Sequence, residues 1–230
     1  MTRLTELVDG LAAVEARIAA GCFAAGRVRA EVTLLVVTKT YPASDVRLLA
    51  ELGIREVGES RDQEAAPKAA ECADLDLSWH FIGRLQSNKA RSVARYADAV
   101  HSVDRSSLVT ALGRAAVEAG RTVGCFAQVS LDSDPSRGGV PIGSVPSLAD
   151  RIADTAGLKL AGVMAVAPME TDPDAAFALL QGVSNRLRDA HPEAGAISAG
   201  MSGDLEAALR HGATHLRVGS AVLGVRPPLE

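Results

Sequence analysis

The feature that most constrains the fold of this chain is a regular alternation of short apolar segments with longer amphipathic ones. The first apolar segment, at 32–37, reads Val-Thr-Leu-Leu-Val-Val. Such a nearly continuous, β-branched run is typical of a strand that is buried on both faces of a sheet. In the segment that follows, Val46, Leu49 and Leu52 recur at helical spacing before the stop signal Gly53.

The same pair of elements recurs along the chain and predicts eight strand–helix units. The strand segments are 32–37, 55–58, 79–83, 99–103, 122–131, 159–166, 196–198 and 215–218, and helical segments follow the first seven. Eight units indicate a parallel α/β sheet closed into a (β/α)8 TIM-type barrel. The alternative is a doubly wound open sheet, which usually has fewer strands and a Gly-x-Gly-x-x-Gly turn after the first. Here the first strand ends in Thr38-Lys39-Thr40.

The eight units and one further helix account for the whole chain. No linker and no break in composition divides 1–230, so we expect a single domain. Before the first strand, apolar residues recur at three- and four-residue steps within 2–21, which predicts an additional N-terminal helix outside the eight units. After the eighth strand we expect little further structure.

Composition narrows the class of protein. The chain is 47% apolar and 23% charged with a formal net charge of -4, which is typical of a globular protein and argues against one that coats nucleic acid. The N-terminal segment carries charges throughout, and no segment is apolar for long enough to span a bilayer. Three widely separated cysteines predict neither a disulfide framework nor a metal site. We therefore expect a cytoplasmic protein without nucleic-acid or membrane partners.

Active sites of such barrels lie at the carboxyl ends of the strands, where Lys39 is the most informative residue. A lysine that follows four apolar residues lies in the barrel or at its rim. Partial desolvation there favours the neutral amine, which condenses with carbonyl compounds. The alternative is a lysine that extends its charged end to solvent or joins an ion pair.

The loops after the seventh and eighth strands are rich in small residues. They read Gly200-Met201-Ser202-Gly203-Asp204 and Val218-Gly219-Ser220-Ala221. Small residues let backbone N–H groups approach a ligand, and these two loops bind phosphate in many (β/α)8 barrels. Ordinary tight turns with a capping serine are the alternative. A phosphate cradle near a carbonyl-reactive lysine would suit a phosphorylated aldehyde.

Other polar residues at or near strand ends give weaker signals. Arg217 lies inside a strand segment, where an arginine is seldom found unless it is paired or touches a ligand. A barrel histidine such as His80 is more often a hydrogen-bonded core residue than a catalyst. Ser60 and Asp104 follow strands and could equally cap the next helices.

Five motifs together resemble one known family. They are Val37-Thr38-Lys39-Thr40-Tyr41-Pro42, Gly58-Glu59-Ser60-Arg61-Asp62-Gln63-Glu64, Trp79-His80-Phe81-Ile82-Gly83-Arg84-Leu85-Gln86-Ser87-Asn88-Lys89, Ser198-Ala199-Gly200-Met201-Ser202-Gly203-Asp204 and Leu216-Arg217-Val218-Gly219-Ser220-Ala221. In this order they resemble the pyridoxal phosphate homeostasis protein family, often called the YggS/PROSC family. The resemblance covers nearly the whole chain.

The resemblance implies a barrel like the N-terminal domain of alanine racemase that holds pyridoxal 5'-phosphate (PLP). Lys39 matches the lysine that holds the aldehyde as a Schiff base. Positions that match phosphate-binding residues are Ser202, Gly219 and Ser220, and Arg217 matches the arginine that faces the pyridine nitrogen. Ser60, His80 and Met201 complete the set of expected cofactor-binding residues. The family usually has asparagine where Ser60 stands.

The resemblance also implies a carrier or regulator of PLP without a well-defined turnover. Similar racemases carry a second, β-rich domain that supplies a tyrosine base, and we expect none here because the chain continues for only eleven residues after Gly219. An arginine at the pyridine nitrogen would also weaken the ring as an electron sink. The alternatives are a low-activity PLP-dependent racemase or lyase, and an aldolase that forms a substrate Schiff base at Lys39. PLP-requiring apo-enzymes are the expected partners of a monomeric carrier.

Overall fold

The alternating pattern folds into a closed parallel sheet in the computed structural model, which describes residues 2–132, 134 and 137–224. The strands are β1 (Thr33–Val37), β2 (Glu56–Glu59), β3 (Ser78–Phe81), β4 (Ala99–Val103), β5 (Val123–Ser130), β6 (Val140–Pro141), β7 (Leu158–Met164), β8 (Ala196–Ser198) and β9 (His215–Val218). Eight of them follow the order β4-β3-β2-β1-β9-β8-β7-β5, and a β4–β5 pairing closes the ring. This confirms the predicted barrel. The short β6, which the sequence did not predict, extends the sheet beside the end of β5.

The strands are apolar because both of their faces are covered. In β1, Val36 lies opposite Val57 of β2 on one side and Val218 of β9 on the other. The four residues from Leu34 to Val37 are all buried. Side chains that point outward from the strands pack beneath the surrounding helices, and those that point inward fill the barrel.

The helices lie outside the sheet and follow the predicted segments closely. They are α1 (Arg3–Ala24), α2 (Ala43–Glu51), α3 (Asp62–Glu71), α4 (Ala90–Tyr96), α5 (Ser106–Glu118), α6 (Val145–Ala153), α7 (Pro173–Ala190), α8 (Leu205–Arg210) and α9 (Ser220–Leu223). The start of α8 lies two residues later than predicted, because Asp204 is its N-cap. A short α9 follows the eighth barrel strand, where the sequence suggested little structure. In the described part of the chain, no helix has the length and apolarity needed to cross a membrane.

The N-terminal helix α1 covers the part of the barrel that the four-residue α9 is too short to cover. Its buried stripe contains Leu7, Leu11, Val14 and Ile18, and it packs against α8 and α9. Contact with α9 is so close that a Cβ at Gly10 would lie 2.4 Å from the Val222 carbonyl oxygen. The helix predicted as an element outside the eight units therefore completes the outer layer beside the last unit.

Candidate functional site

Most of the sequence-predicted site residues lie along four neighbouring strands at the carboxyl end of the barrel. Ser60 follows β2, Lys39 follows β1, Gly219 and Ser220 follow β9, and Ser202 follows β8. In the sheet these strands lie side by side in the order β2-β1-β9-β8. Because the strands are parallel, their carboxyl ends meet at one rim of the barrel. Closure of the sheet thus brings together residues that are up to 181 positions apart in the sequence, from 39 to 220.

Gly219, directly after β9, packs against the end of β1, the strand that precedes Lys39. A Cβ at this position would lie 3.2 Å from the carbonyl oxygen of Val37 and 3.4 Å from its Cβ. Any larger residue would therefore press against the end of β1, two residues before Lys39. The absence of a side chain at Gly219 lets the two loops approach each other and leaves backbone N–H groups accessible to a ligand.

Two serine hydroxyls in these loops make no hydrogen bond to any other described residue: those of Ser202, which is half-buried, and Ser220, which is exposed. The backbone around Ser202 is nevertheless held in place. Arg17 of α1 donates from Nη1 to the Ser202 carbonyl oxygen at 2.9 Å, and the Met201 N–H donates to Oδ1 of Asp204 at 2.6 Å. Held backbone with unused hydroxyl donors is the arrangement that a phosphate group requires.

Arg217 is a buried cation that is bonded only to neutral acceptors. Its side chain is inside the barrel, where Nη1 donates to Oγ of Ser198 at 2.7 Å and Nη2 to the Ala165 carbonyl oxygen at 2.9 Å. None of the ion pairs among the described residues includes Arg217. Burial lowers the pKa of its guanidinium to about 10, with Asp204 acting in the opposite direction, so the group stays protonated at neutral pH. Such a donor fits a ligand that presents a neutral acceptor, such as a pyridine nitrogen.

The turn that carries Lys39 is anchored to β2 and α3 by a buried ion pair. Oγ1 of Thr38 donates to Oε1 of Glu59 at 2.7 Å, and Nζ of Lys68 donates to the same oxygen at 2.5 Å. The Lys68 ammonium also donates to the Thr38 carbonyl oxygen at 2.8 Å. Burial raises the pKa of the Glu59 carboxyl, and the charge of Lys68 opposes that shift. Thr38 is thus held by both its hydroxyl and its carbonyl group.

A second contact holds the other side of the same turn. Thr40 has a φ of 71°, in the left-handed region that a β-branched residue rarely adopts. Its N–H donates to Oε2 of Glu64 in α3 at 3.0 Å. Lys39 itself is half-buried and sits between these two anchored residues. The surrounding structure therefore maintains an unfavourable backbone conformation beside the candidate nucleophile.

His80 lies away from this rim, inside the barrel. Its Nδ1 is 2.8 Å from Nε2 of His101, and its Nε2 is 2.6 Å from Oε2 of Glu56, the first residue of β2. The ring also lies near His215, and His101 stacks on Phe126 with ring centroids 4.1 Å apart. Because β3 and β9 are not neighbours in the sheet, these side chains can meet only in the interior. The sequence therefore placed His80 on the correct strand but at the wrong depth for direct contact with the rim.

The sequence analysis missed the partners that this interior group requires. The sequence patterns predict His101 and His215 only as parts of strands, and they predict no functional role for Glu56 or Ser198. Their only sequence signal is a polar residue within a buried strand. Trp79 packs beneath the helices, and Asp104 pairs with Arg105 at 2.6 Å, so neither carries a ligand-binding signal.

A cavity of about 580 Å³ opens beside the candidate site, between the loops that follow β2, β3 and β4. Its wall is formed largely by residues of the third motif together with Ser60, and it contains the cations Arg61, Arg84, Lys89 and Arg105. Three of these already have carboxylate partners, in Glu64, Asp62 and Asp104. The cavity widens the mouth of the candidate site.

A phosphorylated pyridine aldehyde needs an amine for its aldehyde, donors for its phosphate and a donor for its ring nitrogen. The amine of Lys39, the hydroxyls of Ser202 and Ser220, and the neutral-acceptor donor Arg217 correspond to an aldehyde, a phosphate and a ring nitrogen. Thr40 adds a buried hydroxyl without a partner among the described residues, immediately after Lys39. The residues present fit this group.

Comparisons with known proteins agree with the geometry. Residues 13–227 match the family model described as alanine racemase, N-terminal domain. The pyridoxal phosphate homeostasis protein of Mycobacterium tuberculosis is 48% identical in an alignment 243 positions long, which covers 97% of this chain and 94% of that protein.

Solved structures extend the comparison. PipY of Synechococcus elongatus, solved with PLP bound, superposes with a TM-score of 0.82 at 32% identity, covering 95% of this chain and 100% of PipY. Alanine racemase of Corynebacterium glutamicum is similar in fold alone, with a TM-score of 0.67 at 14% identity over 99% of this chain and 63% of the enzyme. The chain therefore belongs to the pyridoxal phosphate homeostasis protein family and has the barrel of the alanine racemase N-terminal domain.

Proposed function

We propose that this protein binds PLP at the carboxyl-end rim of its barrel and acts in intracellular PLP homeostasis as a carrier or regulator of the cofactor. The observation that carries the proposal is Arg217, a buried guanidinium that is bonded to neutral acceptors within the barrel whose rim carries Lys39. The name of the Mycobacterium tuberculosis relative and the PLP bound to PipY support the same assignment.

Each rim residue then has a defined task. Lys39 supplies the amine that holds the cofactor aldehyde as a Schiff base. The hydroxyls of Ser202 and Ser220 and the backbone at Gly219 donate to the phosphate, and Arg217 donates to the pyridine nitrogen. Met201 and Ser60 border the ring, with a hydroxyl at Ser60 in place of the amide that the family usually has. His80 acts from inside the barrel rather than by contact.

The same residues favour retention of the cofactor over turnover. When bound, PLP supplies an aldehyde that condenses with amines and a ring that withdraws electrons from the attached carbon. A guanidinium donor at the ring nitrogen disfavours protonation there and weakens that withdrawal. The hydroxyl of Tyr41 donates to the Gly224 carbonyl oxygen at 2.9 Å, and that of Tyr96 contacts Asp62 at 3.5 Å. We therefore assign no acid–base role to either tyrosine and expect no well-defined enzymatic turnover.

Borohydride reduction followed by peptide mass spectrometry tests the attachment point. After incubation with PLP, we expect a yellow protein whose reduced adduct maps to the peptide that contains Lys39. The Lys39→Ala variant should stay colourless, whereas Lys89→Ala, a matched lysine in the adjoining cavity wall, should behave as the unaltered protein. An adduct at Lys89, or a colourless unaltered protein, would refute the proposal.

A turnover assay separates the carrier from the alternatives. If the loaded protein racemises or cleaves an amino acid at a rate typical of enzymes, about 1 to 1000 per second, and Lys39→Ala does not, the carrier assignment is wrong. An aldolase would cleave its substrate without added PLP.

As part of the proposal the protein is a cytoplasmic monomer that passes PLP to PLP-requiring apo-enzymes. Light scattering tests whether the protein is a monomer. Reactivation of an apo-enzyme by the loaded protein tests the transfer of PLP.

A further inference from the structure

Four consecutive hydrogen bonds cross the barrel from Arg217 to Glu56. Nη1 of Arg217 lies 2.7 Å from Oγ of Ser198, which lies 2.8 Å from Nδ1 of His101. Nε2 of His101 lies 2.8 Å from Nδ1 of His80, and Nε2 of His80 lies 2.6 Å from Oε2 of Glu56. This hydrogen-bonded chain begins near the carboxyl ends of the strands. It ends at Glu56, the first residue of β2, whose side chain is 32% exposed.

The two ends of this chain have fixed chemical roles. A guanidinium can only donate, and an ionised carboxylate can only accept. Burial alone would raise the pKa of Glu56, but the hydrogen bond and charge of His80, together with His215 and the Ser78 hydroxyl, keep it below its usual value. Glu56 is therefore ionised at neutral pH. Burial holds the pKa of His101 well below its usual value, and His80 and Arg217 act in the same direction, so His101 is neutral.

These roles define one direction for every proton in the chain. In the form of His80 that carries a single proton, the carboxylate of Glu56 requires Nε2 to donate, so Nδ1 of that ring must accept. His101 then donates from Nε2 and accepts at Nδ1 from the Ser198 hydroxyl. With its proton committed to His101, the Ser198 oxygen is left as an acceptor for Arg217.

The end at Arg217 would not set this direction by itself. A hydroxyl oxygen has two lone pairs, so Ser198 could accept from Arg217 and from His101 at once. In that reversed arrangement the Ser198 oxygen would accept from both His101 and Arg217, and the serine proton would lack an acceptor within the hydrogen-bonded chain. When His80 carries a single proton, the carboxylate at the far end excludes the reversed arrangement.

We propose that Glu56 is a positioning residue for Arg217, acting through His80, His101 and Ser198 from the opposite end of the barrel. The link from Arg217 to a pyridine nitrogen rests on the proposed function. The link from Glu56 to Arg217 is independent of the proposed function, because it involves only side chains of the protein and no ligand. Glu56 thereby gives the exposed amino end of the barrel an influence on the group that faces the ligand.

Nitrogen-15 NMR of the histidine rings tests the chain in the protein without PLP. We expect His80 and His101 each to carry one proton, on Nε2, with Nδ1 unprotonated. The Glu56→Gln variant should keep this pattern because its amide oxygen still accepts, whereas Glu56→Leu should give mixed tautomers at both rings. Glu51→Leu, at an exposed helix end five residues earlier, is the matched control and should change nothing.

The pH profile of PLP absorbance supplies the second readout. We expect Glu56→Leu to move the midpoint of the absorbance change by about one pH unit, and Glu56→Gln to restore the original profile. A purely structural role would lower the melting temperature in both variants without such rescue. A proton on Nδ1 of either ring in the unaltered protein, or a Glu56→Leu variant with unchanged tautomers, would overturn the inference. If PLP does not bind, the proposed function fails and the NMR result alone decides this one.

Discussion

The two ends of the barrel interior differ in how completely their polar groups are satisfied. Deeper in the barrel, His80 and His101 form a closed group in which each ring nitrogen has a partner. At the carboxyl-end rim, the hydroxyls of Ser202 and Ser220 make no hydrogen bond to the other described residues, and Lys39 is half-buried. The deeper group thus satisfies its polar atoms within the protein, while the hydroxyls of Ser202 and Ser220 at the rim remain available to a ligand.

Arg217 lies between these two regions and belongs to both. Its hydrogen bonds to Ser198 and Ala165 lie inside the barrel. It is also the member of the hydrogen-bonded chain that lies nearest to the rim. A hydrogen-bonded interior can thus support a rim whose serine hydroxyls are available to a ligand. Substitutions of buried, paired groups should therefore change stability most, and substitutions of the rim hydroxyls should change binding most.

Removal of Lys68 is expected to give the largest effect. Lys68→Met leaves the Glu59 carboxyl, which is fully buried, without its cationic partner. We expect the free energy of unfolding to fall by about 3–5 kcal/mol, as for other broken buried pairs, in chemical denaturation. Lys89→Met is the control, because its 3.8 Å pair with Asp62 is partly exposed and should contribute no more than about 1 kcal/mol. Equal losses in both variants would mean that the Glu59–Lys68 pair has no special role beneath the Lys39 turn.

Removal of a rim hydroxyl should affect binding instead of stability. Ser202→Ala and Ser220→Ala should each weaken PLP binding by about 1.5–3 kcal/mol, the range for a hydrogen bond to a charged group. Their free energies of unfolding without PLP should stay within about 0.5 kcal/mol of the original. Equilibrium dialysis with PLP measures the first quantity, with Ser107→Ala, an exposed serine of α5, as the control. Unchanged affinity in both rim variants would contradict the phosphate assignment.

Acid should weaken the barrel interior through His215. Burial lowers the pKa of His215 to about 4, with His80 acting in the same direction, whereas an unfolded histidine has a pKa of about 6.5. The stability that this neutral ring contributes is fully present above the unfolded value and is lost as the pH falls towards 4. We expect up to about 1.4 kcal/mol of lost stability per pH unit in that interval.

Chemical denaturation at several pH values checks this pH dependence. His215→Phe should flatten the loss between pH 6 and 4, while His191→Asn, at the surface beside Asp150, should leave the slope unchanged. The opposite result, with a flattened slope only in the His191 variant, would place the acid sensitivity outside the barrel interior.

Local sequence patterns were sufficient for the fold and for the location of the rim. Apolar runs such as 32–37 identify strands because a strand covered on both faces buries successive side chains, and the count of eight units predicts closure. Strand ends then identify Lys39, Ser202, Gly219 and Ser220 without knowledge of any contact. The family motifs agreed with that search, since they lie at the same strand ends.

Only the tertiary structure decided how the residues inside the barrel are connected. His80 and Arg217 are recognisable as polar residues in buried strands, but their partners Glu56, His101 and Ser198 come from other strands. Which side chains meet across a barrel depends on closure and on the register of parallel strands, and neither leaves a mark in the sequence around any one residue. Local patterns therefore predict the barrel and its rim, whereas the way Arg217 is held behind that rim follows from packing across the interior.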